Sequence, residues 1–451
     1  MNTAYRARMP PRSVIVIGAG AAGLTAAIRA GEAGARVTLL NAHPRVGLKI
    51  LMSGGTRCNV THREVTERDY HGGSQKVVAR ALRAFTPAQT LEWFERDLGV
   101  AVKLEDTGKY FPESDDAQSV LDALLAASDR AGVVLRAGTQ AVRLERGDEG
   151  WRVGVRKVVD SAAFGAGVKA HGGTEWPLPA AEPSEWLECD AVVMAAGGLS
   201  FPRTGSDGTG YALLRALGHT IVPPVPALTP LASDDDLCRG AQGVTMHTEL
   251  ALWADGRIAT RVQGSLLIAH FGYSGPAALD LSRHWHRAEG HTRRVTVSLV
   301  PGATFESLET DWLLDAKRHS GRGVRGFLGA RMPERIADMI TAESGLGGVT
   351  MAQTPRDRRS AMLRAVLERD LHVTGTLGYE KAEVTAGGVP LAEVSASTLE
   401  SRLAPGLFLC GEVLDVEGRL GGFNFQWAWS SGCVAGRAAA NGESAEVEAR
   451  R

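Results

Sequence analysis

Three glycines, Gly18, Gly20 and Gly23, stand at the spacing GxGxxG inside SVIVIGAGAAGLTAAIRAGEAGARVTLLN, residues 13–41. The chemistry this spacing offers is the holding of a pyrophosphate. The first glycine permits a tight turn, the second lets the backbone approach the diphosphate, and the third lets a helix lie close on a strand. A helix beginning here turns its unpaired N–H groups, those of Ala21, Ala22 and Gly23, and its partial positive charge toward the anion. Asn41 holds the position that normally carries a ribose-binding acid. It can hydrogen-bond a ribose hydroxyl, but without charge.

The elements that must position these residues are legible around them. Val14 to Ile17 is a β-branched apolar run with no polar face, as expected of a parallel strand buried on both sides. Leu24 to Ala33 are mostly good helix formers, Gly34 closes the helix, and Arg36 to Leu40 form a second strand. The glycines therefore sit in a complete βαβ unit, the setting their chemistry needs.

At 451 residues the chain is long enough for two or more domains. A net charge of -1 gives no overall field toward nucleic acid or membrane, although a local patch is compatible with it. MNTAYRARMPPR carries no apolar segment before the first strand, and no stretch reaches the roughly 18 apolar residues of a membrane span. We expect a cytoplasmic protein with no membrane segment. Cys58, Cys189, Cys238, Cys410 and Cys433 are scattered, without CxxC, and read as reduced thiols. His284 and His286 have no carboxylate at ligand spacing, so no metal is expected.

Past the second strand, NAHPRVGLKILMSGGTRCNVTH crowds Gly47, Lys49, Ser53, Gly54, Gly55, Arg57, Cys58 and Asn59 into one loop. Small residues admit a planar ligand, and the two cations suit a phosphate or a negatively charged ring. CDAVVMAAGG reads as a buried strand ending in Gly197 and Gly198. Near the C-terminus, strand Leu407 to Cys410 leads to Gly411 and Glu412, and Gly421 and Gly422 open a helix running to about Ala440.

GLKILMSGGTRCNVT resembles the signature GxKxxxSGGGRCNxT, and GEVLDVEGRLGGFNFQWAWSSG resembles GEVLDVxGxxGGxNxQWAxxSG. Both belong to a bacterial FAD-dependent family described as aminoacetone oxidase-like or 3-dehydro-bile acid delta(4,6)-reductase-like. Thr56 stands where that family usually has Gly, and Asn41 where it has Glu. The similarity covers nearly the whole chain and is densest at 13–62 and 380–437.

The resemblance implies an α/β fold: a Rossmann-like FAD-binding domain of the two-dinucleotide-binding-domain flavoprotein type, with an inserted α+β domain, β-barrel-like plus helical. The expected boundaries are 1–227 and 375–451 for the FAD domain and 228–374 for the insert, which would lie over the flavin as a lid. One FAD is expected among Gly18, Gly20, Ala21, Ala22, Gly23, Asn41, Lys49, Ser53, Gly54, Arg57, Gly197, Gly198, Gly411 and Glu412. Gly421, Gly422, Phe423 and Asn424 complete the set. Glu412 would meet the ribityl chain, and the last helix would aim its N-terminus at the flavin N1/C2 carbonyl, stabilising the anionic reduced ring. Cys58 is the one titratable thiol in the loop: either the general acid or a small buried filler.

Three functions compete. The first is NADPH- or NADH-driven reduction of a conjugated double bond, in a small molecule or in a uracil of ribosomal RNA. The others are an amine oxidase and a non-catalytic flavin-bearing RNA-binding factor. Gly205, Gly208 and Gly210 lack a preceding strand and so make no second nucleotide fingerprint. Elsewhere we expect a helix over 86–98, a second helix capped by Ser114 or Asp115, and a surface excursion over 156–187. The insert should begin with strands Thr245 to Trp253 and Val295 to Leu299. Its arginine-rich end, residues 317–370, reads either as solvated helices or as a phosphate-binding face suited to RNA. His270, Phe271 and Tyr273 are either substrate-facing or a packed turn. The sequence does not speak to oligomeric state.

Overall fold

The computed structural model describes residues 11–147, 150–158, 164, 168 and 182–442. The chain divides into two compact units, Met1–Val225 with Glu383–Arg451, and Pro226–Ala382.

The first unit is built on a five-stranded parallel sheet. Its strands are β1 (Ser13–Ile17), β2 (Arg36–Asn41), β3 (Val134–Ala137), β4 (Ala191–Met194) and β5 (Leu407–Leu409), in the order β5-β4-β1-β2-β3. Every pairing is parallel. The central strands β1 and β4 are buried almost throughout, which their continuous apolar sequences require. Three helices matter to the site: α1 (Ala21–Glu32), α2 (Ala117–Arg130) and α3 (Phe423–Asn441).

Helices α1 and α3 meet backbone to backbone. A Cβ at Gly432 would stand 2.5 Å from the Ala22 carbonyl oxygen, and one at Gly436 would stand 2.2 Å from that of Ala26. Only glycine fits at either place, so the last helix is seated on the helix that follows the glycine loop. Trp427 and Trp429 are buried beside this seam, and their indole N–H groups donate to the carbonyls of Gly411 (3.1 Å) and Val60 (2.9 Å). Each brings large apolar burial with its one donor satisfied.

Local boundaries differ from the sequence reading in several places. Helix α2 is capped by Asp116, whose carboxylate accepts from the Gln118 N–H at 2.9 Å. Asp115 is instead held at φ +52° with its carboxylate given to Arg57 and Lys103. The segment 86–98 is helical over Pro87–Glu92 and then widens into a π-turn over Trp93–Asp97. Glu185–Cys189, expected within an irregular excursion, is a strand pairing antiparallel with Trp151–Lys157. Residues 159–163, 165–167 and 169–181 of that excursion lie outside the described residues.

The second unit carries a seven-stranded antiparallel sheet in the spatial order 369–370, 293–298, 245–254, 257–269, 272–274, 231–233 and 373–376. Its two edge strands are separated in sequence only by Leu371 and His372, which can bridge no more than about 11 Å. The sheet must therefore curl round toward closure. Helices Pro276–Arg287, Phe305–Arg318, Glu334–Glu343 and Arg356–Leu367 share its core, in which Trp312, Phe327, Ile336, Leu363 and Val297 are buried. An α/β unit plus a barrel-like and helical α+β unit is the composition the resemblance implied.

The arginine-rich stretch is laced by carboxylates. Arg322 pairs with Asp315 (2.8 Å), Arg331 with Asp311 (3.1 Å), Arg359 with Glu309 (2.9 Å), Arg369 with Glu343 (2.5 Å), and Arg325 with Asp338. These cations tie the helices to one another, to their connecting loops and to strand Arg369–Asp370, which favours the solvated-helix reading at those positions. Tyr273 is fully buried, as the packed-turn reading requires, whereas His270 is exposed. Among the described residues no helix is long and apolar enough to cross a membrane. Nor does any group of three or more His, Cys, Asp or Glu there stand where it could hold a metal ion.

Candidate cofactor site

The site lies at the carboxyl ends of β1, β2, β4 and β5, where loops from distant parts of the first unit converge. The chain leaves β1 at Gly18, whose φ of +105° only glycine adopts freely and whose Cβ would stand 2.3 Å from the Ala195 carbonyl oxygen. A Cβ at Gly23 would stand 1.7 Å from the Gly18 carbonyl oxygen. These two glycines serve packing. Gly20 differs: its φ is -87°, and among the described residues nothing lies within 4 Å of the place a Cβ would take. It opens on free space at the N-terminus of α1. No side chain caps that helix, and its first turn holds no acidic residue, so its leading amides and positive end are left for a ligand. An open cradle at an uncapped helix N-terminus fits a pyrophosphate.

Asn41 stitches the glycine loop to the next one. Its Oδ1 accepts from the Ala19 N–H (3.1 Å), and its Nδ2 donates to the carbonyls of His43 (2.6 Å) and Arg45 (3.2 Å). A glutamate here could not donate to those two carbonyls, which gives the departure from the family pattern a local reason. Asn41 keeps one acceptor position for a ribose hydroxyl.

The segment 47–59, expected as one loop, opens with a short helix over Leu48–Met52 that carries Lys49, and its backbone is left-handed at Gly47, Gly54, Gly55, Thr56 and Cys58. Thr56, at φ +70°, holds a conformation that a β-branched residue adopts only under strain, and glycine is the residue expected there. Ser53 Oγ donates to the Ile50 carbonyl (2.8 Å), and the Ser53 carbonyl accepts from the Cys58 N–H (3.1 Å). Cys58 is fully buried, and burial pushes its thiol up to about 12. It stays protonated at neutral pH but has no exposed surface from which to donate, which is the geometry of a small core filler.

The two cations of this loop part company. Arg57 lies over the Phe111 ring (3.9 Å) and pairs with Glu105 (2.7 Å) and Asp115 (3.3 Å). The hydrogen bond to Glu105 is the largest of the effects that raise its pKa. The structure thus engages Arg57 with carboxylates, not at the glycine loop. Lys49 turns the other way, to Glu412, 363 residues along the chain (Nζ to Oε2, 2.6 Å). Gly411, at φ +74°, brings the end of β5 against α1, for its Cβ would stand 2.7 Å from that of Ala22.

Sequence reasoning missed Ser200 and Thr385 here, and named Asn59 in its loop without giving it a role. Ser200 Oγ accepts from Lys49 Nζ (2.6 Å) and donates to Glu412 Oε1 (2.8 Å). The Thr385 N–H donates to the same Oε1 (3.0 Å). Asn59, with its amide oriented to satisfy both ends, accepts from the Gly422 N–H (3.0 Å) and donates to the carbonyls of Thr61 (3.0 Å) and Tyr110 (3.2 Å). It thereby fixes the turn through Gly421 and Gly422 that opens α3. Ser200 stands two residues past the Gly-Gly pair, which is a local signal. Thr385 acts through contacts with no signature in its own neighbourhood, whereas Asn59 stands in the quoted loop signature as its RCN asparagine.

Phe423 and Asn424 begin α3 as parts of its support. Phe423 is buried, with His62 stacked on it (4.9 Å) and Arg419 over its ring (4.4 Å). Asn424 brackets Gly418, accepting from its N–H (2.8 Å) and donating to its carbonyl (2.9 Å). No acidic residue stands in the first turn of α3, so its positive end is uncompensated.

The profile of the HI0933-like protein Rossmann domain matches residues 12–184 and 178–438 of the chain. A 3-dehydro-bile acid delta(4,6)-reductase of Clostridium scindens is 33% identical over 430 residues, spanning 94% of this chain and 98% of its own length. A ribosomal RNA dihydrouridine synthase of Escherichia coli K12 is 30% identical over 420 residues, spanning 92% of this chain and 95% of its own. Among solved structures, a 3-ketosteroid-delta4-(5alpha)-dehydrogenase of Rhodococcus jostii superposes with a TM-score of 0.48 at 13% identity, over 95% of this chain and 97% of that one.

Proposed function

The chain belongs to the HI0933-like family of Rossmann-domain proteins, and from that membership we propose that it is an FAD-dependent oxidoreductase reducing a conjugated carbon–carbon double bond at the expense of NADPH or NADH. The observation that carries this reading is the convergence of three sequence-distant segments. The glycine loop, the loop bearing Lys49 and the turn bearing Glu412 meet at one cradle open at Gly20. The names of the two relatives share one reaction class, the saturation of a double bond conjugated to a carbonyl. That supports reductase over amine oxidase, and it leaves two substrate classes, a small enone or a uracil in ribosomal RNA.

FAD, when bound, supplies the hydride exchange that no side chain can perform. The protein's own part is binding, orientation and charge. The first-turn amides of α1 would take the pyrophosphate, and the remaining acceptor of Asn41 a ribose hydroxyl. Lys49 and Glu412 are joined at a partly buried place, with side chains 24% and 18% exposed. Together they would present ammonium and carboxylate to the ribityl chain of FAD. The N-terminus of α3, with no acidic residue in its first turn, would favour negative charge on the reduced ring. Five buried free cysteines support a reducing, cytoplasmic setting.

The test is the visible spectrum of the purified protein, followed anaerobically as NADPH and then NADH are added. Oxidised-flavin bands that bleach, and reappear when an enone or uridine-containing ribosomal RNA is supplied, are the expected result. Peroxide release with amines, in the absence of bleaching by either nucleotide, would replace the reductase with an oxidase. A colourless protein that takes up no added FAD would overturn the reading.

A further inference from the structure

The turn after β4 is moulded around one hydroxyl oxygen from a remote strand. Thr385 lies fully buried in Val384–Gly388. Its Oγ1 accepts from the backbone N–H groups of both Leu199 (2.7 Å) and Ser200 (3.0 Å). Gly198 can pass only because it lacks a side chain: its Cβ would stand 2.5 Å from Thr385 Oγ1 and 2.8 Å from Glu412 Oε1. The same threonine gives its own N–H to Glu412 Oε1. One residue therefore fixes both the Gly197-Gly198 turn and the carboxylate beside it.

The consequence is a carboxylate with little freedom. Glu412 takes Lys49 on one oxygen and Ser200 and Thr385 on the other, so three donors hold it in one orientation. Lys49 is held in turn by Glu412 and by Ser200 Oγ. Among the described residues, one ammonium hydrogen of Lys49 and one acceptor position of Glu412 are left uncommitted. That pair is the complement of an alcohol hydroxyl, which both donates and accepts.

We propose that Thr385 and Ser200 are positioning residues for the cofactor, holding the Lys49–Glu412 pair ready for a polyol hydroxyl of bound FAD. This rests on the reading of the cradle as an FAD site. Preorganised charge-assisted hydrogen bonds are strong because their orientation is set before the ligand arrives. A loosened pair has to be ordered at the moment of binding.

The experiment compares wild type, Thr385→Val, Thr385→Ser and Ser200→Ala as flavin-stripped full-length proteins. FAD is titrated in by its absorbance change and fluorescence quenching, at a temperature where each variant is folded. Thr385→Val should weaken FAD binding by about tenfold, Thr385→Ser should recover most of that loss, and Ser200→Ala should weaken it severalfold. A purely structural role would lower the melting temperature of Thr385→Val and leave the FAD affinity of the folded protein unchanged, and that result overturns the proposal. If Thr385→Val does not fold, Ser200→Ala decides alone: unchanged affinity overturns the proposal, and weakened affinity sustains it. If wild type itself binds no FAD, the cofactor reading fails and takes this inference with it.

Discussion

Gly20 and Gly23 are three residues apart in one motif, yet the structure gives them opposite sensitivities. At Gly23 an added Cβ would stand 1.7 Å from the Gly18 carbonyl oxygen, roughly half an ordinary carbon–oxygen contact. Helix α1 would have to lift off the turn, and α3 rides on α1 at Gly432 and Gly436. Gly23→Ala should therefore cost about 3 kcal/mol or more, the upper end of overpacking penalties. At Gly20 the backbone is ordinary, φ -87° and ψ -169°, and the Cβ meets nothing. Alanine is a slightly poorer N-cap than glycine but stiffens the unfolded chain, so the two effects cancel to within about 0.5 kcal/mol. Only a ligand feels that methyl group. A displaced pyrophosphate contact should raise the FAD dissociation constant by at least about tenfold, or about 1.4 kcal/mol. The assay is a thermal melt of the flavin-free proteins beside an FAD titration. Gly20→Ala should melt with wild type and bind FAD poorly, while Gly23→Ala should melt early. If Gly20→Ala binds FAD as wild type does, the space at Gly20 is not where the diphosphate lies, and the central argument fails.

Four other outcomes follow from the same geometry. Burial drives the His284 and His286 imidazoles down to about 4. An unfolded chain, titrating near 6.5, then binds more protons than the folded one between about pH 6.5 and 4, and stability falls as pH drops through that window. The pair should contribute about 3–5 kcal/mol of that loss; urea unfolding at pH 7 and 4.5 should show the difference shrink in a His284→Gln, His286→Gln double variant, and an unaltered difference contradicts the burial argument. Thr56→Gly should relieve about 1–2 kcal/mol of left-handed strain against about 0.5–1 kcal/mol of added chain entropy, so the melting temperature should hold or rise slightly; a clear drop means that the Thr56 side chain stabilises the loop. Gly436→Ala, with its Cβ 2.2 Å from the Ala26 carbonyl oxygen, should cost about 1–3 kcal/mol in chemical denaturation, and a neutral result would show that α1 and α3 part easily. Cys58→Ser should keep the rate of flavin reoxidation by substrate within about twofold, since a thiol at about 12 sealed from solvent is a poor acid; a loss of a hundredfold or more, the scale of general-acid catalysis, would return the proton donor to Cys58.

What the sequence discloses of this site is what the backbone imposes. Gly18, Gly23, Gly411 and Gly422 were readable because a positive φ or a close approach admits no other residue, and such demands leave a spaced pattern. The strands were readable because burial on both faces forbids polar residues. What stayed hidden depends on side chains meeting across the fold. Nothing near Thr385 announces that its hydroxyl will receive two amides 185 and 186 residues away. Arg57 and Lys49 look equivalent in a string of small residues, and only the placement of Glu105 and Asp115 against one and Glu412 against the other separates them. Residue type promised two cations for a ligand, but tertiary structure commits one of them to carboxylates and an aromatic ring.

The two departures from the family pattern sharpen this distinction, because they differ in what the structure asks of the position. Asn41 replaces an acid where the fold uses two N–H donors toward His43 and Arg45, so the substitution is coupled to its neighbours and costs nothing visible. Thr56 replaces a glycine where the backbone still demands a left-handed turn, and its hydroxyl finds only the adjacent Gly55 carbonyl at 2.5 Å. One change is compensated and the other is strained. Strain retained beside a binding loop is affordable only if neighbouring contacts fix the conformation regardless. The Ala117 N–H, which donates to the Thr56 carbonyl at 2.9 Å, is such a contact. The start of α2 therefore holds the loop in the shape its glycines were placed to permit. By that reasoning Ala117→Pro, which removes this one donor at the first position of a helix that tolerates proline, should loosen the loop without unfolding α2. Amide hydrogen exchange should then quicken over residues 53–58 while α2 remains protected, and equal protection in both proteins would show that the loop holds its shape unaided.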